Sequence, residues 1–284
     1  MNTSGNTILI TGGTSGIGLE LARQLLALDN TVLITGRSQA RLDAARAQLP
    51  KLHTFQSDVG DVQRIPALFA AVSAAFPQLN VLINNAGIGL KRNLNDASLG
   101  LEELTREIQT NVMGPVWMIQ QFLPLLKRQE HAAIVNVSSG LAFVPMPFKP
   151  IYCATKAAVH SYTQSLRVQL EPTGVKVFEL APPATAGTEF NADTDAHQLN
   201  ASFMMDLSKM VRVAIRGLAK DKREILPGAS PMLKLMGRVA PSFTLMNQLA
   251  IELAKEKPAL VRPEVLDHPH LAGGRGVEAA GHEV

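Results

Sequence analysis

Short apolar runs alternate along the first 230 residues with longer stretches whose apolar positions recur every three or four residues, the pattern of buried strands each followed by an amphipathic helix. The runs Thr7–Thr11, Thr31–Thr35, His53–Gln56, Asn80–Ile83, Ala133–Val137 and Val175–Leu180 predict six strands, and Glu224–Leu226 a short seventh. Helical spacing covers Ile17–Leu28, Gln39–Gln48, Val62–Ala75, Ile151–Leu170 and Leu207–Lys220. A longer region, Leu101–Lys127, is expected to bend near Gly114 and Pro115. Strands that return in one direction need crossovers, and the helices supply them, so the sheet should be parallel and covered on both faces. The expectation is an α/β fold, a doubly wound parallel sheet of about seven strands in a single domain, with ligands at the carboxyl ends of the strands.

Two stretches leave this rhythm. Pro182 to Asp206 is long, loop-like and mildly acidic, and residues 184–206 within it are expected to form a lid over the site. Residues 231–254 carry apolar positions at near-helical spacing, which fits a helix packed on the domain, or a face turned to a partner or membrane surface. Residues 255–284 turn polar and rich in Gly, Pro and His, the composition of a flexible tail. Residues 1–230 are thus the expected folded domain.

Composition narrows the function classes. A chain of 284 residues with 46% hydrophobic residues can bury a sizeable core, and a net charge of +3 with 18% charged residues leaves no electrostatic footprint for nucleic acid. The single cysteine, Cys153, cannot form an internal disulfide, which fits a reducing compartment. No basic segment followed by an apolar one marks a signal peptide, and no apolar run approaches the roughly 20 residues of a membrane helix. The expected location is the cytoplasm. No metal-ligand spacing appears, the pair His268 and His270 in the tail included.

Candidate chemistry begins directly after the first strand, at Thr11-Gly12-Gly13-Thr14-Ser15-Gly16-Ile17-Gly18. Glycines at a strand-to-helix turn let the backbone approach a pyrophosphate, and the helix start offers unpaired N–H groups and partial positive charge. The spacing is TGxxxGxG (Thr11, Gly12, Gly16, Gly18) rather than GxGxxG, and with Asn84-Asn85-Ala86-Gly87, Asn111, Ser139, Tyr152 and Lys156 it resembles the short-chain dehydrogenase/reductase family over about residues 5–230. The resemblance implies a Rossmann-like fold. It also implies a nicotinamide cofactor on Thr11, Gly12, Thr14, Ser15, Gly16, Ile17, Gly18, Asn85, Ala86 and Gly87, with Tyr152 and Lys156 also against it, the lysine at the nicotinamide ribose hydroxyls. A homodimer or homotetramer packed through the helix at 151–170 follows from the same resemblance.

After the second strand no acid stands ready to accept hydrogen bonds from the adenosine ribose; Arg37 follows instead, and a guanidinium can pair with a 2′-phosphate. NADP(H) is therefore expected over NAD(H), with a solvent-exposed arginine as the alternative role. Asp58 and Val59 match the family's pair that holds the adenine; a turn-stabilising aspartate is the alternative.

Tyr152 and Lys156 are four residues apart at the start of a predicted helix and so share a face. A nearby ammonium is expected to lower the phenol's pKa and let a proton move to or from a substrate oxygen. Ser139, at the end of the fifth strand, is placed to hydrogen-bond that oxygen; its neighbour Ser138 competes, and family spacing favours Ser139. Asn111 resembles the family asparagine that positions a water leading to the lysine, or else is a helix-kinking amide. Cys153, with no base arranged beside it, is expected to pack rather than react.

One motif departs from the family. Pro182-Pro183-Ala184-Thr185-Ala186-Gly187-Thr188 replaces Pro-Gly-x-Val-x-Thr, with Pro182 and Thr185 still expected near the carboxamide and Thr188 undecided. Glu179-Leu180-Ala181-Pro182-Pro183 is similar to a bacterial subgroup named for D-alanine esterification of teichoic acids. The resemblance implies an oxidoreductase that interconverts a ketone or aldehyde with an alcohol. Alternatives are an NADP(H)-sensing binding protein without turnover, and an epimerase or dehydratase of the same family.

Overall fold

Strands of Val, Ile and Leu that are apolar on both sides can be stable only between two layers of helices, and that is how this chain folds. The computed structural model describes residues 1–94, 96–188 and 204–240. Seven parallel strands, β1 (Thr7–Ile10), β2 (Thr31–Gly36), β3 (His53–Gln56), β4 (Val81–Asn84), β5 (Ala133–Val137), β6 (Lys176–Leu180) and β7 (Glu224–Ile225), lie in the order β3-β2-β1-β4-β5-β6-β7. The order reverses between β1 and β4, which makes the ends of those two strands the crevice where ligands of such sheets gather.

Alternate residues of each strand feed the two faces. Ile8, Ile10, Val32, Ile34, Val81, Ile83 and Val135 pack with α1 (Gly16–Leu26), α2 (Gln39–Gln48) and α7 (Leu207–Ala219). Leu9, Leu33, Leu82 and Ile134 pack on the other side with α3 (Ile65–Ala75), α5 (Gly114–Leu126) and α6 (Pro150–Leu170).

The second face carries an exception. Asn84, Asn136, Glu179 and Glu224 stand side by side on β4, β5, β6 and β7 in the parallel register, a polar row one level below the carboxyl edge. Asn84 Nδ2 donates to Asn136 Oδ1 at 2.9 Å, and Asn136 Nδ2 donates to Thr163 Oγ1 of α6 at 3.0 Å. This row ties the sheet to the helix above it.

Leu101–Lys127 is one helical region, as the periodicity predicts, but its irregularity falls just ahead of Gly114 and Pro115. A π-turn, Gln109–Met113, separates α4 (Leu101–Ile108) from α5. Pro115 has no amide to offer the carbonyl four residues back, that of Asn111, so regular winding cannot pass through this point. The apolar stretch at 231–254 begins as α8 (Ser230–Val239); its remainder from 241 and the expected tail at 255–284 lie outside the described residues. Of the expected lid, residues 189–203 lie outside them too. No helix among the described residues is long and apolar enough to cross a membrane.

Phe122 of α5 is fully buried, with its ring 5.2 Å from that of Phe69 in an edge-to-face contact. Phe122→Ala should therefore cost about 3–5 kcal/mol of unfolding free energy in urea titrations, because the cavity lies between two rigid layers.

Candidate active site

The glycine turn after β1 and the turn after β4 are fastened to each other before any ligand is considered. The buried Thr11 hydroxyl accepts from the amides of Asn85 and Ala86, both at 3.0 Å, and Asn85 Nδ2 donates back to the carbonyls of Thr11 and Gly12. Gly12 has φ +64° and its missing Cβ would lie 2.7 Å from Ala86 Cα, so only glycine fits where the turns meet. Gly16, at φ +52°, opens α1.

Ser15 caps that helix in extended geometry without a side-chain hydrogen bond, and no acid stands in the first turn. The first amides of α1 thus face a concave, glycine-lined turn with nothing anionic beside them, the donor set a pyrophosphate requires. Thr14 lies against Gly36 at the end of β2, Ile17 packs on the core, and Gly18 is buried within α1.

The turn also reaches β2: Gly13 N donates to Thr35 O at 3.0 Å. Arg37 follows two residues later, exposed to solvent. Asp58 Oδ1 accepts from Gly60 N at 2.9 Å, so its carboxylate shapes its own turn, while Val59 is buried against Gly114.

Across the crevice, α6 brings the titratable groups together. Tyr152 and Lys156 are both buried, and Lys156 Nζ lies 5.6 Å from the centroid of the Tyr152 ring while donating to Val137 O of β5 at 2.9 Å. Ser139 is hydrogen-bonded to Tyr152 and caps the 3-10 turn Gly140–Ala142 by accepting from Leu141 N at 3.1 Å. Ser138 turns the other way and donates to Glu179 at 2.5 Å. Of the two serines, Ser139 is the one beside the phenol.

Asn111, within the π-turn, is wholly buried. It accepts from Ile88 N and donates to Ile88 O and Thr155 Oγ1. A Cβ placed on Gly87 would lie 3.4 Å from both Asn111 Oδ1 and Lys156 Nζ. The turn after β4 therefore touches the glycine turn at one end and the asparagine and lysine at the other.

The electrostatics depart from the expectation of an acidified phenol. Burial pushes the Tyr152 hydroxyl above its ordinary value; the Ser139 hydrogen bond pulls the other way, and Cys153 and Glu107 add to the rise. The Lys156 ammonium, 5.6 Å from the ring centroid, does not offset this rise. Burial also brings Lys156 itself down to about 8. Glu107, with Oε2 buried and without a hydrogen bond, is raised from its ordinary value by the same desolvation. Its place so near Tyr152 is not visible in the sequence pattern, where it is one acid among several on α4.

After β6, Pro182 O accepts from Gly140 N at 2.8 Å and holds the turn behind Ser139. Thr185 is buried and donates internally to Pro183 O at 2.9 Å, whereas the Thr188 methyl would lie 3.6 Å from a Cβ on Gly16. Thr185, expected near the carboxamide, thus turns inward, and Thr188, left undecided by the altered motif, borders the glycine turn.

Comparison with known proteins agrees with this geometry. Residues 6–199 match the family model described as short chain dehydrogenase. An uncharacterized oxidoreductase DltE of Bacillus subtilis is 46% identical over 228 residues, 79% of this chain and 89% of the relative. An NADP-dependent 3-hydroxy acid dehydrogenase, YdfG of Escherichia coli O6:H1, is 33% identical over 186 residues, 65% of this chain and 74% of the relative. Among solved structures, a short chain dehydrogenase of Burkholderia cenocepacia in complex with NADP superposes with a TM-score of 0.73 at 22% identity, covering 91% of this chain and 100% of that one. One of Burkholderia phymatum in complex with NAD gives 0.74 at 23% identity, covering 86% and 99%.

The burial of Lys156 has a measurable consequence. Burial lowers it to about 8 from 10.5, so its cost is fully present below pH 8, shrinks as pH rises through that window and is gone only above 10.5, where both states are neutral. Lys156→Met should therefore raise the unfolding free energy by about 2 kcal/mol at pH 7, net of one lost hydrogen bond. Denaturant titrations at pH 7 and above pH 10 check this; the gain must shrink at the higher pH.

Proposed function

The chain belongs to the short-chain dehydrogenase family of oxidoreductases, and from that premise we propose that it is an NADP(H)-dependent enzyme interconverting a ketone or aldehyde with an alcohol, Tyr152 serving as general acid and base. The observation that carries this reading is the double reach of the turn at 85–87, which borders the glycine turn on one side and Asn111 with Lys156 on the other. Whatever lies along the crevice passes from the amides of α1 to the phenol of Tyr152.

The residues that would hold the cofactor are the backbone amides of Gly12 to Gly18, the 85–87 turn, Arg37, Asp58 with Val59, and the segment from Pro182 to Thr188. Their fit rests on the uncapped start of α1 and the glycine cradle that any Cβ would fill. When bound, the nicotinamide supplies or accepts the hydride, and the protein supplies geometry and charge.

Tyr152, its pKa raised by burial, stands protonated at neutral pH, the form needed to donate a proton to a carbonyl oxygen during reduction. Ser139 shares a hydrogen bond with that hydroxyl and is placed to hold the same substrate oxygen. As the phenol loses its proton, the Ser139 hydroxyl stabilises the phenolate through the hydrogen bond that favours that form. Asn111, fixed by three hydrogen bonds, keeps the π-turn against Gly87 and so keeps the lysine's surroundings polar at one point. Leu141, Met146, Phe148 and Cys153 pack with Tyr152 into an apolar cluster, and a substrate with an apolar portion next to its carbonyl would suit such surroundings.

Support for the phosphorylated cofactor is local. Arg37 projects from the end of β2 that touches the glycine turn, and no acid occupies that end. The name of the Escherichia coli relative and the Burkholderia cenocepacia complex point the same way, while the NAD complex of the Burkholderia phymatum protein shows that the fold accepts either dinucleotide.

Tyr152→Phe should keep NADPH affinity within about twofold and lower turnover by about 10²–10⁴. Fluorescence titration and NADPH oxidation against a panel of carbonyl compounds measure the two; near-wild-type turnover would falsify the assigned acid. Arg37→Asp should move the NADPH-to-NADH ratio of kcat/KM by at least about tenfold towards NADH, since a charge-assisted pair is lost and a repulsion gained. An unmoved ratio would take Arg37 out of the cofactor site.

A further inference from the structure

Tyr152, Lys156 and His160 follow one another at intervals of four on α6, so the face that carries the chemistry continues one turn beyond it. There it meets a carboxylate with no solvent exposure at all. Glu179 of β6 is fully buried, its two oxygens lying 3.0 and 2.8 Å from His160 Nδ1. Gln164 Nε2 lies 2.9 Å from the other ring nitrogen and donates to it, which leaves the ring proton on Nδ1 to be given to Glu179. The same carboxylate accepts from Ser138, the residue immediately before Ser139. One buried anion thus binds both the end of β5 and the middle of α6.

Three further elements close around this group. Glu224 of β7 stands 4.0 Å from His160 Nδ1 and is bonded to Lys234 of α8. Lys234 lies 5.4 Å from the centroid of Phe143, whose ring meets His160 edge-to-face at 5.0 Å. Arg167, also on α6, acts electrostatically with Glu179 and Glu224. A Cβ on Gly140, next to Ser139, would lie 2.8 Å from Leu233 of α8. His160, Glu179 and Glu224 bring ligand atoms within 4.8 Å of one another, as a metal triad would, but Ser138, Lys234 and the imidazole already engage these carboxylates.

We propose that Glu179 is a positioning residue: its carboxylate, held between Ser138 and His160, fixes the strand end bearing Ser139 against the helix bearing Tyr152 and Lys156. The proposal rests on the oxidoreductase reading above and adds to it a residue that touches neither substrate nor cofactor. A buried carboxylate tolerates few positions, because every displacement strips it of donors that water cannot replace. Glu179 therefore restricts how far α6 can slide on the sheet, and with it the distance from the phenol to Ser139. The apolar packing of α6 alone would leave that distance softer, since dispersion contacts are not directional.

The test uses the full chain, as wild type, Glu179→Gln and Ser138→Ala, with a carbonyl substrate and the matching alcohol. Glu179→Gln should keep its NADPH dissociation constant within about twofold and lose about tenfold in kcat, the size of effect that a misplacement without loss of a reacting group produces. Because the Ser139 hydrogen bond favours phenolate, the inflection of kcat/KM in alcohol oxidation should also move to higher pH in the variant. A merely structural role would lower the yield of folded enzyme without moving that profile. Should Glu179→Gln fail to fold, Ser138→Ala releases the strand end alone and should show the same drop in kcat and the same shift. Wild-type turnover matched by the variants, in rate and pH profile, would overturn the positioning role alone. A wild type that binds NADPH but reduces no carbonyl would overturn the underlying reading and this proposal with it.

Discussion

The structure is built around an ammonium that the fold has taken out of water. Lys156 lies inside the carboxyl edge of a parallel sheet, with one carbonyl as hydrogen-bond acceptor and an aromatic face beside it, and its lowered pKa measures how poorly that replaces hydration. A chain optimised only for stability would place an apolar side chain there. Keeping the lysine requires that the sheet, the helix and two turns be positioned tightly enough to hold a group that would otherwise escape to solvent. The rest of the architecture can be understood as meeting that requirement.

Two kinds of contact do so, and they differ in what they determine. Apolar packing on both faces gives the sheet its cohesion and supplies most of the stabilisation. It does not by itself choose one register of α6 over another. That choice falls to directional contacts set into the apolar layer: the Asn84–Asn136–Thr163 chain and the Ser138–Glu179–His160 chain, both under α6 and both fully or largely buried. Buried polar contacts contribute modestly to net stability but strongly penalise every arrangement that breaks them. In this fold they lie one level below the reacting groups, where a small slide of the helix would do the most harm.

Much of this was legible in the sequence, for identifiable reasons. The strands and helices announce themselves through a change from short apolar runs to apolar positions recurring every three or four residues, and α2, β3 and β5 begin and end where that change predicts. The glycine turn and the tyrosine–lysine pair are local in sequence, so spacing places them. The π-turn was not legible, since five residues of wider winding leave the apolar spacing almost unchanged and only Pro115 hints at it. Neither was the direction of the Tyr152 shift, because desolvation depends on what is packed around the ring and not on which residue is four away. Glu179 did leave a trace, an acid inside the otherwise apolar run Val177–Leu180, as did Asn136 inside Ala133–Val137. A polar residue in a strand buried on both faces implies a partner, but the partner, His160, is identified only when the helix is laid on the sheet.

The altered segment after β6 is held in place by contacts of its own. Where a glycine would leave the turn free, Pro183 fixes a second φ after that of Pro182 and removes one more donor, so the chain leaves the sheet in a direction set by the two rings. Their carbonyls remain available, and both are used: Pro182 O receives Gly140 N, and Pro183 O receives the Thr185 hydroxyl. Thr185 is thereby drawn inward, and the bridge between Thr185 and Met205 closes the base of the loop. One residue of extra chain then carries Thr188 to the rim of the glycine turn. The stiffened turn thus draws Thr185 inward and leaves Thr188 beside Gly16 at the start of α1.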